Sequence, residues 1–171
     1  MRWYLVVIFA YVLAVMQTTL FAPDLLGLGA FRTAVRPDLL LLMAVFVALR
    51  AEPAAVFIAA WCLGLVEDLS FGHGPLGVTA MLFGLAASGV CLVRGLMMPV
   101  RILTQVLLAL AAVVAVRVPQ QMLLWWLTGS RADLAMALQR GAGDALYSAI
   151  LAPYLFWLLA RVLPKPGTLG R

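Results

Sequence analysis

Residues 36–50 read RPDLLLLMAVFVALR, and this stretch decides the fold that the sequence predicts. Pro37 suits the first turn of a helix and Asp38 suits the positive end of the helix dipole, so we expect a helix to begin here. The 13 residues 37–49 would cover about 20 Å, whereas the hydrocarbon core of a bilayer is about 30 Å thick. This helix is therefore too short to cross a membrane alone.

Such a short helix could be buried among other helices, or it could continue past Arg50 into the next apolar segment. One long helix over 37–70 would place Arg50 and Glu52 near the middle of a bilayer, where charged side chains are costly. We therefore expect two helices, with a break at residues 50–53.

The composition is that of an integral membrane protein. Hydrophobic residues make up 65% of the 171 residues, charged residues make up 11%, and the mean hydropathy is +1.09. Soluble domains contain roughly 45–50% apolar residues. The apolar runs lack the alternation over about ten residues that barrel strands show, so helices are expected. The net charge of +5 is best explained by orienting arginines and lipid headgroups, and a nucleic-acid partner is not expected.

Breaks rich in charge, glycine and proline divide the chain into six predicted helices. Their approximate bounds are 3–22, 37–49, 53–70, 76–93, 100–127 and 143–163. We expect one all-α transmembrane domain over 1–163, a six-helix bundle, followed by a cytoplasmic tail at 164–171.

The distribution of positive charge predicts the orientation, because Lys and Arg are retained on the cytoplasmic side. With both termini inside, seven positive residues are cytoplasmic: Arg2, Arg50, Arg94, Arg101, Arg161, Lys165 and Arg171. Four lie in the outer loops: Arg32, Arg36, Arg131 and Arg140. This excess favours an N-in, C-in topology.

Arg117 is the remaining positive residue, and it lies within the predicted fifth helix. An arginine facing lipid is costly, so it should face protein or extend toward the outer surface. Glu67 and Asp68, near the outer end of the third helix, are the partners that we favour. The alternative is that Arg117 binds backbone carbonyls freed by Pro119.

No residue pattern in the chain favours catalysis or a bound metal. Glu67 and Asp68 are adjacent, so on a helix they point about 100° apart and cannot both ligate one ion with His73. Ser88 follows Gly84 by four residues, a spacing that favours close helix packing over a catalytic serine. We expect neither a cofactor nor enzymatic activity.

Two stretches, RPDLLLLMAVFVALR and GLVEDLSFGHGPLGVTA, resemble the rod shape-determining protein MreD family of bacteria. The resemblance comprises an Arg-Pro-Asp start to the second helix and a Gly-x-x-x-Asp segment followed by a glycine-rich turn. The positions that carry it are Arg36, Pro37, Asp38, Gly64, Asp68, Gly74, Leu76 and Gly77. Glu67, beside Asp68, departs from that pattern and leaves open which of the two carboxylates has the structural role.

The resemblance implies a non-enzymatic scaffold subunit of the bacterial cell-elongation machinery, in the inner membrane. It implies MreC as a direct partner, and MreB, RodA and a class B penicillin-binding transpeptidase in the wider complex that supports peptidoglycan synthesis. The residues that we expect to serve structure or partner binding are Arg36, Pro37, Asp38, Gly64, Glu67, Asp68, Gly74, Gly77, Gly84, Ser88 and Arg117.

The alternative function is a small-molecule carrier. The MreD family is similar in its six-helix arrangement to the substrate-binding component of energy-coupling-factor vitamin transporters. A vitamin site requires several hydrogen-bonding groups that converge inside the bundle. The fourth helix and the inner half of the fifth offer few such groups, chiefly Thr79, Ser88, Thr104 and Gln105.

Overall fold

A computed structural model describes residues 3–19, 37–71, 76–94, 102–128 and 134–162, which form six helices and no strand. The helices are α1 Trp3–Thr19, α2 Leu39–Arg50, α3 Pro53–Phe71, α4 Val78–Val93, α5 Ile102–Thr128 and α6 Leu134–Val162. The all-helical class and the number of helices agree with the prediction. Arg36, Gly74, His73 and the tail at 164–171 lie outside the described residues.

Helix α2 is the centre of the bundle. Ten consecutive residues, from Leu39 to Ala48, are buried, and α2 packs against each of the other five helices. A helix that is apolar on every side is stable only where other helices surround it. Its 12 residues span about 18 Å, so the short second helix is an interior element.

A break at residue 51 separates α2 from α3, as the charges at Arg50 and Glu52 predicted. Ala51 is extended, with φ −86° and ψ 168°, and α3 begins at Pro53, which suits a first helical position. Arg94, after α4, donates to the carbonyl oxygens of Ala48 at 2.9 Å and Ala51 at 2.7 Å. These bonds satisfy carbonyl groups that the end of α2 leaves without a partner.

Three helix starts differ from the predicted bounds among the described residues. Helix α2 begins at Leu39 and helix α4 at Val78, each two residues after its predicted start. Helix α6 begins at Leu134, nine residues before the predicted start at residue 143. Gly141 fell in the predicted break before this helix, but it lies inside α6. A β-carbon added to Gly141 would lie 3.7 Å from that of Arg117, so small residues here bring α6 close to α5.

Within the described parts of the chain, three helices are long and apolar enough to cross a membrane. Their apolar segments are Pro53–Ser70 in α3, Leu103–Leu123 in α5 and Gly141–Val162 in α6. The shorter apolar segments are Tyr4–Thr19, Leu39–Arg50 and Val78–Val93. The fold is therefore that of a membrane protein in which a short buried helix, α2, packs against five longer ones.

Among the helix contacts at described glycines, the contact between α3 and α4 leaves the least space for an added β-carbon. A β-carbon added to Gly64 would lie 2.5 Å from the Cα atom of Ala80, closer than real atoms approach. At Gly84 the nearest atoms belong to the Phe57 ring, at 2.7 Å, and a side chain can move more easily than a backbone. Gly64 therefore sets the separation of α3 and α4.

Replacing Gly64 by alanine is expected to destabilise the protein, because the added methyl group must displace the backbone of Ala80. Overpacking of this kind costs about 1–3 kcal/mol. Gly64→Ala should therefore lower the midpoint of thermal unfolding in detergent, followed by tryptophan fluorescence.

Gly89→Ala is the matched control, since a β-carbon at Gly89 meets no described atom of another helix within 4 Å. Equal midpoints for the two variants would contradict the close contact between α3 and α4.

Candidate functional site

Arg117, on α5, binds two carboxylates from other helices inside the bundle. Its Nε donates to Oδ2 of Asp38 at 2.8 Å, and its Nη2 donates to Oδ1 of the same carboxylate. Nη2 also donates to Oε1 of Glu67 at 3.0 Å. Asp38 is 0% exposed and Glu67 is 4% exposed. The planar guanidinium matches the two oxygens of Asp38, which is the strongest geometry available to an arginine and a carboxylate.

Neutral side chains extend this ion-pair network to two further helices. Arg117 Nη1 donates to Oε1 of Gln120 at 3.1 Å, and Gln120 Nε2 donates to Oγ1 of Thr79, on α4, at 3.2 Å. The backbone N–H of Asp38 donates to Oγ of Ser148, on α6, at 2.9 Å. We call this set the Arg117 cluster: Asp38, Glu67, Thr79, Arg117, Gln120 and Ser148. It connects α2, α3, α4, α5 and α6.

The local structure of α2 explains why Asp38 is available to Arg117. Asp38 precedes the first residue of α2, but its side chain makes no capping bond to that helix. Its carbonyl oxygen accepts the Leu42 N–H at 3.0 Å, so its backbone begins the helix while its carboxylate points to α5. The Arg-Pro-Asp start thus supplies a buried counterion.

The sequence identified one of the two partners of Arg117. Glu67 was expected to bind Arg117 and does so. Asp38, in contrast, had been assigned only to the helix dipole. Asp68 does not contact Arg117 in the described bonds, and neither do the carbonyl groups near Pro119. The predicted topology already placed Asp38 and Glu67 at the same end of the bundle, and that was the signal for the missed partner.

Asp68 has a different role, at the start of α4. Its Oδ2 accepts the N–H groups of Gly77 at 2.9 Å and Ala80 at 3.3 Å. These donors would otherwise lack partners at the beginning of a helix, where negative charge is also favoured. Gly77 has φ 96°, a conformation that side chains disfavour. Asp68 therefore binds N–H groups at the start of α4 instead of Arg117, the partner that we favoured from the sequence.

The remaining predicted residues lie along the contacts of α2, α3 and α4. Pro37 is buried and its carbonyl oxygen accepts the Leu39 N–H at 3.1 Å. Ser88 donates to the carbonyl oxygen of Gly84 at 2.8 Å, within α4. Among the described residues, no three His, Cys, Asp or Glu side chains are grouped to hold a metal ion.

An apolar groove lies between α1 and α3. It encloses about 610 Å³. The lining includes small and larger apolar side chains along both helices: Val6, Ala10, Tyr11, Ala55, Ile58, Ala59, Cys62, Leu63 and Val66. The groove and the Arg117 cluster are separate features, since none of the cluster residues lines it.

These features define an all-helical membrane protein with charged side chains paired inside its bundle. The family model described as rod shape-determining protein MreD matches residues 1–163, so the chain belongs to the MreD family. The resemblance seen at residues 36–77 is thereby confirmed. This family comprises shape-determining structural membrane proteins and is not known as enzymatic. Comparisons with curated proteins and with solved structures gave no match.

Removing the Arg117 guanidinium is expected to destabilise the fold strongly, because Asp38 would be left buried without its counterion. Breaking a buried ion pair from one side costs about 3–5 kcal/mol. Arg117→Met should therefore lower the unfolding midpoint in detergent, or prevent the protein from accumulating in the membrane.

Arg161→Met is the control, because Arg161 is an exposed arginine that contacts the Trp157 ring near the end of α6. The double variant Asp38→Asn, Arg117→Met should recover part of the lost stability. An Arg117→Met protein as stable as Arg161→Met would show that the ion pair is not needed.

Loss of the Asp68 carboxylate is expected to weaken the start of α4 without unfolding the bundle. Removing a capping side chain costs about 1 kcal/mol. Asp68→Ala should lower the unfolding midpoint less than Arg117→Met does. Asp68→Asn keeps an oxygen that can accept the two N–H groups, so it should lower the unfolding midpoint less than Asp68→Ala does. Equal decreases in the midpoint for the Ala and Asn variants would argue against the capping role.

Proposed function

We propose that this protein is a non-enzymatic scaffold of the bacterial cell-elongation complex in the inner membrane, and that it binds MreC directly. MreB, RodA and a class B penicillin-binding transpeptidase complete the wider complex, which carries out peptidoglycan synthesis and controls cell shape. Membership of the MreD family supports this proposal. The scaffold requires no cofactor, because its role is to hold a partner in position.

The proposed topology is a multi-pass bundle of six helices with both termini in the cytoplasm. Arg50 and Arg94 lie near the ends of α2 and α4, which meet where Arg94 binds the last turn of α2. Helix α6 runs parallel to α2, since Ser148 contacts Asp38 and Phe156 contacts Phe46. Arg161 therefore belongs to the same end of the bundle. Positive charge at one end supports placing that end at the cytoplasmic surface.

The groove between α1 and α3 is the observation that carries the scaffold proposal. From Ala55 to Val66 it follows α3 for about 17 Å, or three helical turns. Ala10, Ala55 and Ala59 leave room for another backbone to approach, as small residues do between membrane helices. We assign the groove to the single transmembrane helix of MreC, whose domain outside the membrane would then be positioned by the bundle.

The carrier function has less support from the geometry. Most polar side chains of the described interior bind one another in the Arg117 cluster, instead of surrounding a cavity. The groove has an almost entirely apolar lining, which could not supply the converging hydrogen bonds that a vitamin requires. No observation therefore favours the carrier over the scaffold.

Co-expression with MreC, mild extraction and size-exclusion chromatography with light scattering test the proposal. The expected result is a stable complex of fixed stoichiometry. A protein that purifies alone, and that retains a small molecule in native mass spectrometry, would favour the carrier instead.

Filling the groove is expected to weaken the complex while the bundle stays intact. Ile58 is 63% exposed in the groove, and Ile150 is 59% exposed on α6, away from it. Ile58→Trp should reduce the affinity for MreC about tenfold, which corresponds to about 1.4 kcal/mol. Ile150→Trp, a matched substitution at similar exposure, should bind MreC as the unchanged protein does. Equal binding by both variants would exclude the groove as the docking surface.

A further inference from the structure

The Arg117 cluster contains more negative than positive charge. Two buried carboxylates, Asp38 and Glu67, face the single guanidinium of Arg117. On α6, Asp144 adds negative charge within electrostatic reach of Arg117. If Asp38 and Glu67 were both ionised, the buried interior would hold a negative charge that no described cation balances. An unbalanced charge in an apolar interior is among the most unfavourable arrangements in proteins.

The two carboxylates are not equivalent in their contacts with Arg117. Asp38 uses both oxygens to accept from Nε and Nη2, whereas Glu67 accepts only from Nη2, which it shares with Asp38. The second oxygen of Glu67, Oε2, is buried and has no hydrogen-bond partner among the described residues. Asp38 is thus the natural counterion of Arg117, and Glu67 is the carboxyl group in excess.

Apart from Asp38, Arg117 and Asp144, the polar groups that we find on the other helices of the described interior are neutral. Gln120 on α5, Thr79 on α4 and Ser148 on α6 belong to the cluster, and Gln17 is the buried polar residue of α1. None of these side chains can neutralise a second carboxylate. A proton can do so, because it needs no space and no further ligand.

We propose that the Arg117 cluster is a proton-binding site, in which the Glu67 carboxyl group holds one proton while Asp38 stays ionised against Arg117. The site is independent of the proposed binding of MreC, because it rests only on contacts within the bundle. The bound proton makes Asp38, Glu67 and Arg117 together electrically neutral.

This assignment makes the stability of the fold depend on pH in a defined direction. A glutamate in the unfolded chain is ionised at neutral pH, whereas Glu67 in the bundle holds a proton. The folded state therefore binds one more proton than the unfolded state, and the free energy of unfolding falls as the pH rises. Replacing Glu67 by glutamine keeps a neutral group of the same shape and should remove this dependence.

Infrared spectroscopy of the purified protein in detergent tests directly whether Glu67 holds a proton. A protonated carboxylic acid gives a C=O stretching band that an ionised carboxylate lacks. The band should be present at neutral pH and absent from Glu67→Gln. It should persist in Asp68→Asn, which alters the neighbouring carboxylate. Asp38→Asn should also remove it, because Glu67 then becomes the only carboxylate bound to Arg117 and ionises.

The unfolding midpoint gives a second readout. Above the ordinary pKa of a glutamate, about 4.3, the midpoint of the unchanged protein should fall more steeply with rising pH than that of Glu67→Gln. A Glu67→Gln protein that keeps the infrared band, or that shows the same pH dependence, would overturn the proposal. Failure of Glu67→Gln to fold would also overturn it, since the amide reproduces the neutral group that the proposal requires.

Discussion

The ion pair between Arg117 and Asp38 is the constraint on which the rest of the bundle depends. A guanidinium cannot remain unpaired in an apolar interior, so α5 can pack only where the start of α2 supplies a carboxylate. Because Asp38 also donates its backbone N–H to Ser148, the same contact fixes α6. A shift of one helical turn, about 5.4 Å, in any of these helices would separate the charges. Apolar packing alone would not impose that register, because it is much less directional.

Helix α2 is too short to cross a bilayer, and yet it is the structural centre of the bundle. Arg117 anchors the start of α2 through the Asp38 side chain, and Arg94 satisfies carbonyl groups at its end. The end groups of a short helix lie at a depth where neither lipid nor bulk water satisfies them well. Protein side chains must therefore do so.

The sequence was sufficient to predict those features that depend on local composition. Apolar runs between breaks gave six helices, and the position of Arg50 and Glu52 gave the break after α2. The pairing of Arg117 with Asp38 joins residues 79 positions apart, and one sequence offers no means to choose among carboxylates at the same end of the bundle. The early start of α6 was missed for a related reason. Glycine suits both a loop and a close helix contact, and only the presence of α5 beside Gly141 decides between them.

The division between interior and surface bears on how a protein of this family acts. The polar groups of the Arg117 cluster are used inside, between α2, α3, α4, α5 and α6, while the described face along α1 and α3 is apolar. Among the described helices, α1 packs only on α2 and α3, and no member of the Arg117 cluster belongs to it. Apolar packing without directed polar bonds permits small shifts at low cost. A partner helix in the groove could therefore displace α1 slightly while the charged centre keeps the other five helices in register.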